Sequence, residues 1–201
     1  AQFKIAYIDP LSGPFANVGE QGLKHFQAMA DEINAKGGIN GKKLEIIGFD
    51  NKVSAQEALN QLKRVIDQDI RYITQGNSSA VAGALIEAVN RHNERNPGKE
   101  ILYLNYAAVD PAFTNDKCSF WHFRFDANSD MKMEALTTWM AQNKNIRKVY
   151  LINQDYSFGK AVAVAARAML SKKRPDIEIV GDELHPLQKI TDFSPYIAKI
   201  K

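Results

Sequence analysis

Apolar and polar positions along the chain switch between two periods, and the switches separate strands from helices. Residues 3–9 (FKIAYID) form a mostly apolar run of strand length. A turn-rich stretch, Pro10-Leu-Ser-Gly-Pro14, follows. Leu23, Phe26, Ala30 and Ile33 then recur at the spacing that puts them on one face of a helix. Lys36-Gly37-Gly38 ends that helix, because glycine readily takes the left-handed conformation of a helix stop. After a turn at Asn40-Gly41, residues 43–49 read as a second strand. Ser54 and Glu57 have the S-x-x-E spacing of a capping box, and the helix they open carries Ala58, Leu59, Leu62, Val65 and Ile66 on its apolar face. Residues 71–74 form a third strand, 80–93 a third helix and 101–105 a fourth strand.

The stretch 107–117 is irregular, with Asp110-Pro111 and Asn115-Asp116, after which the alternation resumes. Residues 120–125, 148–153 and 177–181 read as strands, and 129–143 and 158–172 as helices. Strand–helix–strand units of this length build parallel sheets with helices on both faces. The predicted class is therefore α/β, with two lobes, residues 1–119 and 120–201, and a crossing near 117–121. Ser194-Pro195 opens one more helix, with Tyr196, Ile197 and Ile200 beginning a face shortly before Lys201. The second lobe is therefore expected to be incomplete.

Composition narrows the function classes. The 26 Lys and Arg nearly balance the 23 Asp and Glu, and no run of like charges marks a nucleic-acid or membrane-surface patch. No apolar stretch has the length of a membrane span. The opening Ala1-Gln2 suits a mature end left after signal-peptide removal. The single cysteine, Cys118, rules out an internal disulfide and a multi-cysteine metal site; its ordinary role is that of a small, partly buried apolar residue, and the other reading is half of a bridge whose partner lies outside this chain.

In an open parallel sheet, ligands bind at the carboxyl ends of the strands. Four loops fall there: 10–19, 75–79, 106–111 and 154–159. The loop Gln75-Gly-Asn-Ser-Ser79 carries the most chemistry. It sets Asn77, Ser78 and Ser79 at the start of a helix, whose free N–H groups and dipole attract carboxylate or phosphate. Serine is equally the ordinary helix cap there, so the spacing leaves both roles open. Phe15, Tyr106, Tyr156 and Phe158 fall in the same set of loops and together suggest an aromatic-walled cleft. Asp9 and Asp50 end strands, where turn formation and capping are their commoner roles. Catalytic and metal chemistry find no support. The histidines His25, His92, His122 and His185 lack metal spacing, with His122 expected to pack within its aromatic strand. No G-x-S-x-G, phosphate-loop or dinucleotide motif occurs.

Several stretches in order resemble the leucine/isoleucine/valine-binding proteins, the type I periplasmic receptors of ABC importers. They are Leu11-Ser-Gly-Pro14, Gly19, Asp31-Glu-Ile-Asn-Ala-Lys-Gly-Gly-Ile-Asn-Gly41, Asp50, Ala58, Gly76-Asn77-Ser78-Ser79, Ala107-Ala108, Phe123-Arg124, Asp155-Tyr156 with Gly159, and Asp192-Phe193-Ser194. The resemblance implies two α/β lobes closing by a hinge on a small carboxylated solute in the cleft between them, and a monomer that hands the solute to a membrane permease. It implies no catalytic residue, metal or cofactor, no nucleic-acid partner and no insertion into the membrane, and a periplasmic location. It maps carboxylate binding onto Ser78 and Ser79, a backbone carbonyl and N–H onto Ala107 and Val109, and an aromatic wall onto Tyr156 or Phe158. Val18 falls where many amino-acid binders carry an aromatic. Two cysteines that bridge in some relatives correspond to Val53 and Ser78, so that disulfide is missing. Val109 replaces a threonine common among branched-chain amino-acid binders, which turns the expectation toward an aromatic or aliphatic acid without an amine, with a branched-chain amino acid as the other choice. The sensing ectodomain of a receptor and an α/β enzyme are the rival classes.

Overall fold

The computed structural model describes residues 2–200, which divide into two compact units. The first unit comprises residues up to 108 together with 112–126. Its strands are β1 (Gln2–Asp9), β2 (Lys43–Asp50), β3 (Tyr72–Gln75), β4 (Leu102–Asn105) and β5 (His122–Arg124). They form one parallel sheet in the order β2-β1-β3-β4-β5. Helices α1 (Ala16–Ala35), α2 (Ala55–Asp67) and α3 (Ser79–Arg95) connect them.

Strand alternation assigns each helix its face. Ala6 and Ile8 point to one side, where Leu62 and Val65 of α2 and Val81, Leu85 and Val89 of α3 complete a buried cluster. Tyr7 points to the other side, where Leu44 and Ile46 of β2 meet Leu23, Phe26, Ala30 and Ile33 of α1. The predicted helix face of α1 is thus the one that packs. Ser54 caps α2 by accepting the Glu57 N–H at 3.2 Å, but only half of the box forms. The Glu57 carboxylate turns to Gln61 and Asn60, and the Ser54 N–H goes to the Asn51 carbonyl.

Helix α1 begins at Ala16, so Val18 and Gly19 lie in its first turn rather than in a loop. Phe15 at its cap offers no side-chain hydrogen bond, which is why the sequence shows no start signal. Strand β5 pairs with β4. That pairing puts the division of the chain after Asp126, downstream of the expected 119/120 boundary. Cys118 is exposed, not partly buried.

The second unit comprises 109–111 and 127 onward. It contains α4 (Ser129–Gln142), β6 (Lys148–Gln154), α5 (Ser157–Lys173), β7 (Glu178–His185) and the short α6 (Ser194–Ile197). β6 and β7 pair in parallel, with Gln154 opposite His185 at their carboxyl ends. Leu170 of α5, Met140 of α4 and Ile177 form its buried apolar cluster. β7 runs four residues beyond the predicted strand, because Asp182 and Glu183 interrupt the apolar run while the backbone still pairs with β6.

Arg174, which closes α5, is 2% exposed and ties this unit together. Its five N–H groups donate to both Asp176 oxygens and to the carbonyls of Met140, Asn143 and Ile146, at 2.7–3.1 Å. Those carbonyls lie at and just beyond the end of α4, where helical acceptors run out of partners. The guanidinium holds the Asp176 carboxyl down at about 2.

Candidate functional site

In the first unit the carboxyl ends of β1, β3 and β4 converge on one loop. β3 ends at Gln75 and α3 starts at Ser79, so Gly76, Asn77 and Ser78 make the whole connection. Asp9, the last residue of β1, is fully buried beneath it. Asp9 Oδ2 accepts the Gly76 N–H at 3.1 Å, and Oδ1 accepts the Asn77 N–H at 3.0 Å. Tyr106, just past β4, donates its hydroxyl to Asp9 Oδ2 at 2.5 Å and accepts from Asn77 Nδ2 at 3.1 Å. A Cβ on Gly76 would come within 2.7 Å of the Tyr106 ring, so only glycine lets the loop lie this close. Gln75 Nε2 fastens the far side by donating to the Asn77 carbonyl at 2.5 Å.

The loop so held delivers Ser78 at φ +85°, a strained conformation for a residue other than glycine, and strain of this kind concentrates at functional sites. Ser78 caps α3 by accepting the Val81 N–H at 3.4 Å. The N–H groups of Ser78, Ser79 and Ala80 have no acceptor among the described residues. Ser79 is 3% exposed, and its hydroxyl likewise has no partner among the described residues. Three unpaired donors, one hydroxyl and the positive end of a 17-residue helix make a cradle for a small anion.

The sequence-predicted residues separate into different roles. Asn77 and Tyr106 belong to the support of the loop: the Asn77 N–H is taken by Asp9, and the Tyr106 ring packs on Tyr7 and Phe26 at 6.0 and 5.3 Å. Tyr106 therefore braces the loop from below. Ser78 and Ser79 present the free donors. The Ala107 N–H donates to Asn105 Oδ1 at 3.1 Å, which leaves its carbonyl as the group still open. Phe15 and the half-exposed Val18 lie at the start of α1.

The remaining candidates belong to the second unit. Val109 is buried, and its carbonyl accepts the Ser129 N–H at 2.9 Å. Tyr156 and Phe158 flank the start of α5 with their rings 6.0 Å apart. A Cβ on Gly159 would sit 1.9 Å from the Gln154 carbonyl, so this glycine lets α5 rest directly on the end of β6. His122 is buried between Tyr103 and Phe113, as its aromatic strand implied, and burial lowers its pKa to about 4.

Two supporting residues hold roles the sequence reading did not give them. Asp9 and Asn105 each end a strand with a short polar side chain; Asn105 turns under the loop that follows it, whereas Asp9, read as a turn former or cap, supports the distant loop after β3. Asn105 accepts from the N–H groups of Ala107 and Ala108. Burial pushes the Asp9 carboxyl up to about 7, against the pull of the Tyr106, Asn77 and Gly76 donors, which favour the ionised form. Asp50, by contrast, is a loop anchor: it accepts from the Leu11 N–H, the Ser12 hydroxyl and the Lys52 N–H. No group of His, Cys, Asp or Glu among the described residues has the makings of a metal site. No helix among them is long and apolar enough to cross a membrane.

Residues 2–201 match the periplasmic binding protein family. The chain belongs to that family. It is 40% identical over 200 residues to Leu/Ile/Val-binding protein homolog 4 of Brucella abortus (strain 2308), covering 98% of this chain and 47% of the relative. The Leu/Ile/Val-binding protein of Escherichia coli K12 is 24% identical over 201 residues, covering 98% of this chain and 51% of that protein. Among solved structures, the leucine-, isoleucine-, valine-, threonine- and alanine-binding protein of Brucella ovis, in a closed conformation, superposes with a TM-score of 0.85 at 38% identity. The match covers 100% of this chain and 51% of that one. A Rhodopseudomonas palustris solute-binding protein in complex with benzoate shares the fold at a TM-score of 0.81 and 17% identity, covering 100% of this chain and 52% of its own. The chain thus spans about half the length of the periplasmic binding proteins it matches.

Proposed function

We propose that this periplasmic binding protein captures a small carboxylated solute and delivers it to the membrane permease of an ABC importer. The observation that carries the reading is the unpaired donor set at the start of α3: the Ser78, Ser79 and Ala80 N–H groups and the Ser79 hydroxyl. A carboxylate has acceptor capacity for several such donors, and hydrogen bonds to a charged acceptor are the stronger kind. Val18 and Phe15, at the start of α1 in the same unit, are proposed to supply apolar surface for the rest of the solute. The Ala107 carbonyl and the Val109 N–H are the proposed polar groups near its α-carbon.

An aliphatic amino acid is the leading solute class, because the 38–40% identical Brucella relatives bear names of leucine, isoleucine and valine binders. Val109 favours a second reading. It offers no hydroxyl to an ammonium group, and a buried ammonium left without partners is costly. An acid without an amine avoids that cost, and the same fold holds benzoate in the R. palustris protein.

A thermal-shift screen of the protein as its cell makes it, against aliphatic amino acids, aliphatic acids and aromatic acids, tests the reading. A solute that binds only the folded state stabilises it by roughly 2.7 kcal/mol at a hundred times its Kd. A clear rise in melting midpoint with one carboxylate class is expected. The amides of the same acids are included, and a screen in which the amides shift the midpoint as far as the carboxylates contradicts the proposal.

A further inference from the structure

Three oxygen–oxygen contacts run in line from the end of β1 to the first turn of α1. Asp9 Oδ2 lies 2.5 Å from the Tyr106 hydroxyl, which lies 3.0 Å from the Tyr7 hydroxyl, which lies 2.8 Å from the Gly19 carbonyl oxygen. Each contact needs one proton, and the two tyrosines bring two. With Asp9 ionised, one contact sets two oxygens together with no hydrogen between them, in a place where Asp9 and Tyr7 are fully buried. With Asp9 protonated, the Asp9–Tyr106 hydrogen bond reverses its direction and the chain closes: Asp9 donates to Tyr106, Tyr106 to Tyr7, and Tyr7 to the Gly19 carbonyl. Asn77 Nδ2 still donates to Tyr106, and the Gly76 and Asn77 N–H groups still find lone pairs on the carboxyl.

We propose that Asp9 is a proton-linked positioning residue, holding a proton shared through Tyr106 and Tyr7 to Gly19, and that filling the anion site beside it draws this proton from solvent. The coupling rests on the anion site proposed above. One short loop serves both acids, giving the N–H groups of Gly76 and Asn77 to Asp9 and those of Ser78, Ser79 and Ala80 to the solute. Two negative charges sharing one peptide segment raise each other's proton affinity.

Among the described residues, nothing facing Asp9 offers a compensating cation. β1 contributes Tyr7, β4 contributes Tyr103 and the following loop Tyr106. All three hydroxyls are raised by burial and by the Asp9 charge. Asp50 lies beside Asp9 in the β1–β2 register but turns its carboxylate to Leu11, Ser12 and Lys52. α1 contributes the Gly19 carbonyl, and the start of α3 contributes serines and neutral amides. Burial already brings Asp9 into the neutral range in the free protein. Affinity for an anion is therefore greatest below that range and weakens as pH rises through it, up to tenfold per pH unit.

Infrared difference spectra of the protein as its cell makes it, recorded against Asp9→Asn without solute, isolate the Asp9 carboxyl band. Calorimetry with L-leucine and 4-methylpentanoate in phosphate and Tris at pH 7 counts protons taken up. The expected results are a carboxyl band that titrates near neutrality and an uptake between zero and one proton per solute. Tyr7→Phe keeps the ring but breaks the chain, and is expected to lower the titration point and diminish the uptake. An Asp9 band that titrates below about pH 5 overturns the inference whatever binds. Binding without proton uptake overturns the coupling and leaves the anion site standing. If neither probe binds while the band titrates near neutrality, the proton chain stands and the anion site falls.

Discussion

Replacing Ser79 by aspartate is expected to lower affinity for a carboxylated solute by at least ~100-fold, with the melting midpoint of the free protein unchanged or higher. The two effects have opposite signs because the new carboxylate occupies the position of the solute's own. Standing at the first residue of α3, it meets the unpaired N–H groups of the first turn and the positive end of the helix dipole. A negative charge there stabilises a helix by roughly 0.3–1 kcal/mol. The same charge repels the incoming carboxylate and takes up its donors. Ser79→Ala, which removes only the hydroxyl, is expected to cost a smaller factor, about 10–100-fold. Calorimetry and thermal melts on the same samples separate the outcomes. An aspartate variant that binds the solute as well as the parent removes the start of α3 from the site. A variant that loses both affinity and stability points to a packing role for Ser79.

The second large effect is on stability. Arg174→Ala is expected to lower the melting midpoint of the second unit by several degrees, because it removes a buried guanidinium whose five hydrogen bonds tie the end of α4 to the end of α5. The Ile146 carbonyl loses its donor, those of Met140 and Asn143 keep only the backbone N–H groups of Asn143 and Ile146, and Asp176 loses the partner that holds its pKa at about 2. Arg174→Lys is expected to rescue little, since an ammonium has three donors on a point charge where five converge here in a planar fork. The sign with pH follows from the depressed Asp176 carboxyl. The pair's contribution is complete above the ordinary aspartate range and is lost as pH falls from about 4 toward 2. Differential scanning calorimetry at pH 7 and pH 3 checks this. A lysine variant that melts like the parent shows the bidentate geometry to be dispensable.

Much of the fold is legible because burial writes period and punctuation into the chain. Leu23, Phe26, Ala30 and Ile33 mark one face of α1, and they are the residues that cover the β1–β2 side of the sheet. Lys36-Gly37-Gly38 stops that helix through two glycines at positive φ. The elements that shifted are those whose ends lack side-chain chemistry. α1 starts on an uncapped Phe15, and β7 continues through Asp182 and Glu183, whose charges read as loop although the backbone still pairs with β6. In the site, Ser78 and Ser79 are visible because hydroxyls before an apolar helix have few uses. Asp9 is not visible, because its role depends on Tyr106, Gly76 and Asn77, residues 67 or more positions away. Period and local spacing carry no record of such distant partners. Arg174 escapes for the same reason, its acceptors lying 28–34 residues upstream.

The central claim is that the start of α3 recognises a carboxylate, and calorimetric titration with L-leucine, L-leucinamide and 4-methylpentanoate tests it most directly. These three share one aliphatic chain and differ only in the carboxylate and the amine. The account predicts binding by at least one of the two carboxylates and none by leucinamide. Binding by leucine alone selects the amino-acid reading, and binding by 4-methylpentanoate alone selects the amine-free reading suggested by Val109. Leucinamide binding as tightly as leucine would contradict the account, because the solute would then be held without the carboxylate that the Ser78, Ser79 and Ala80 donors are placed to receive.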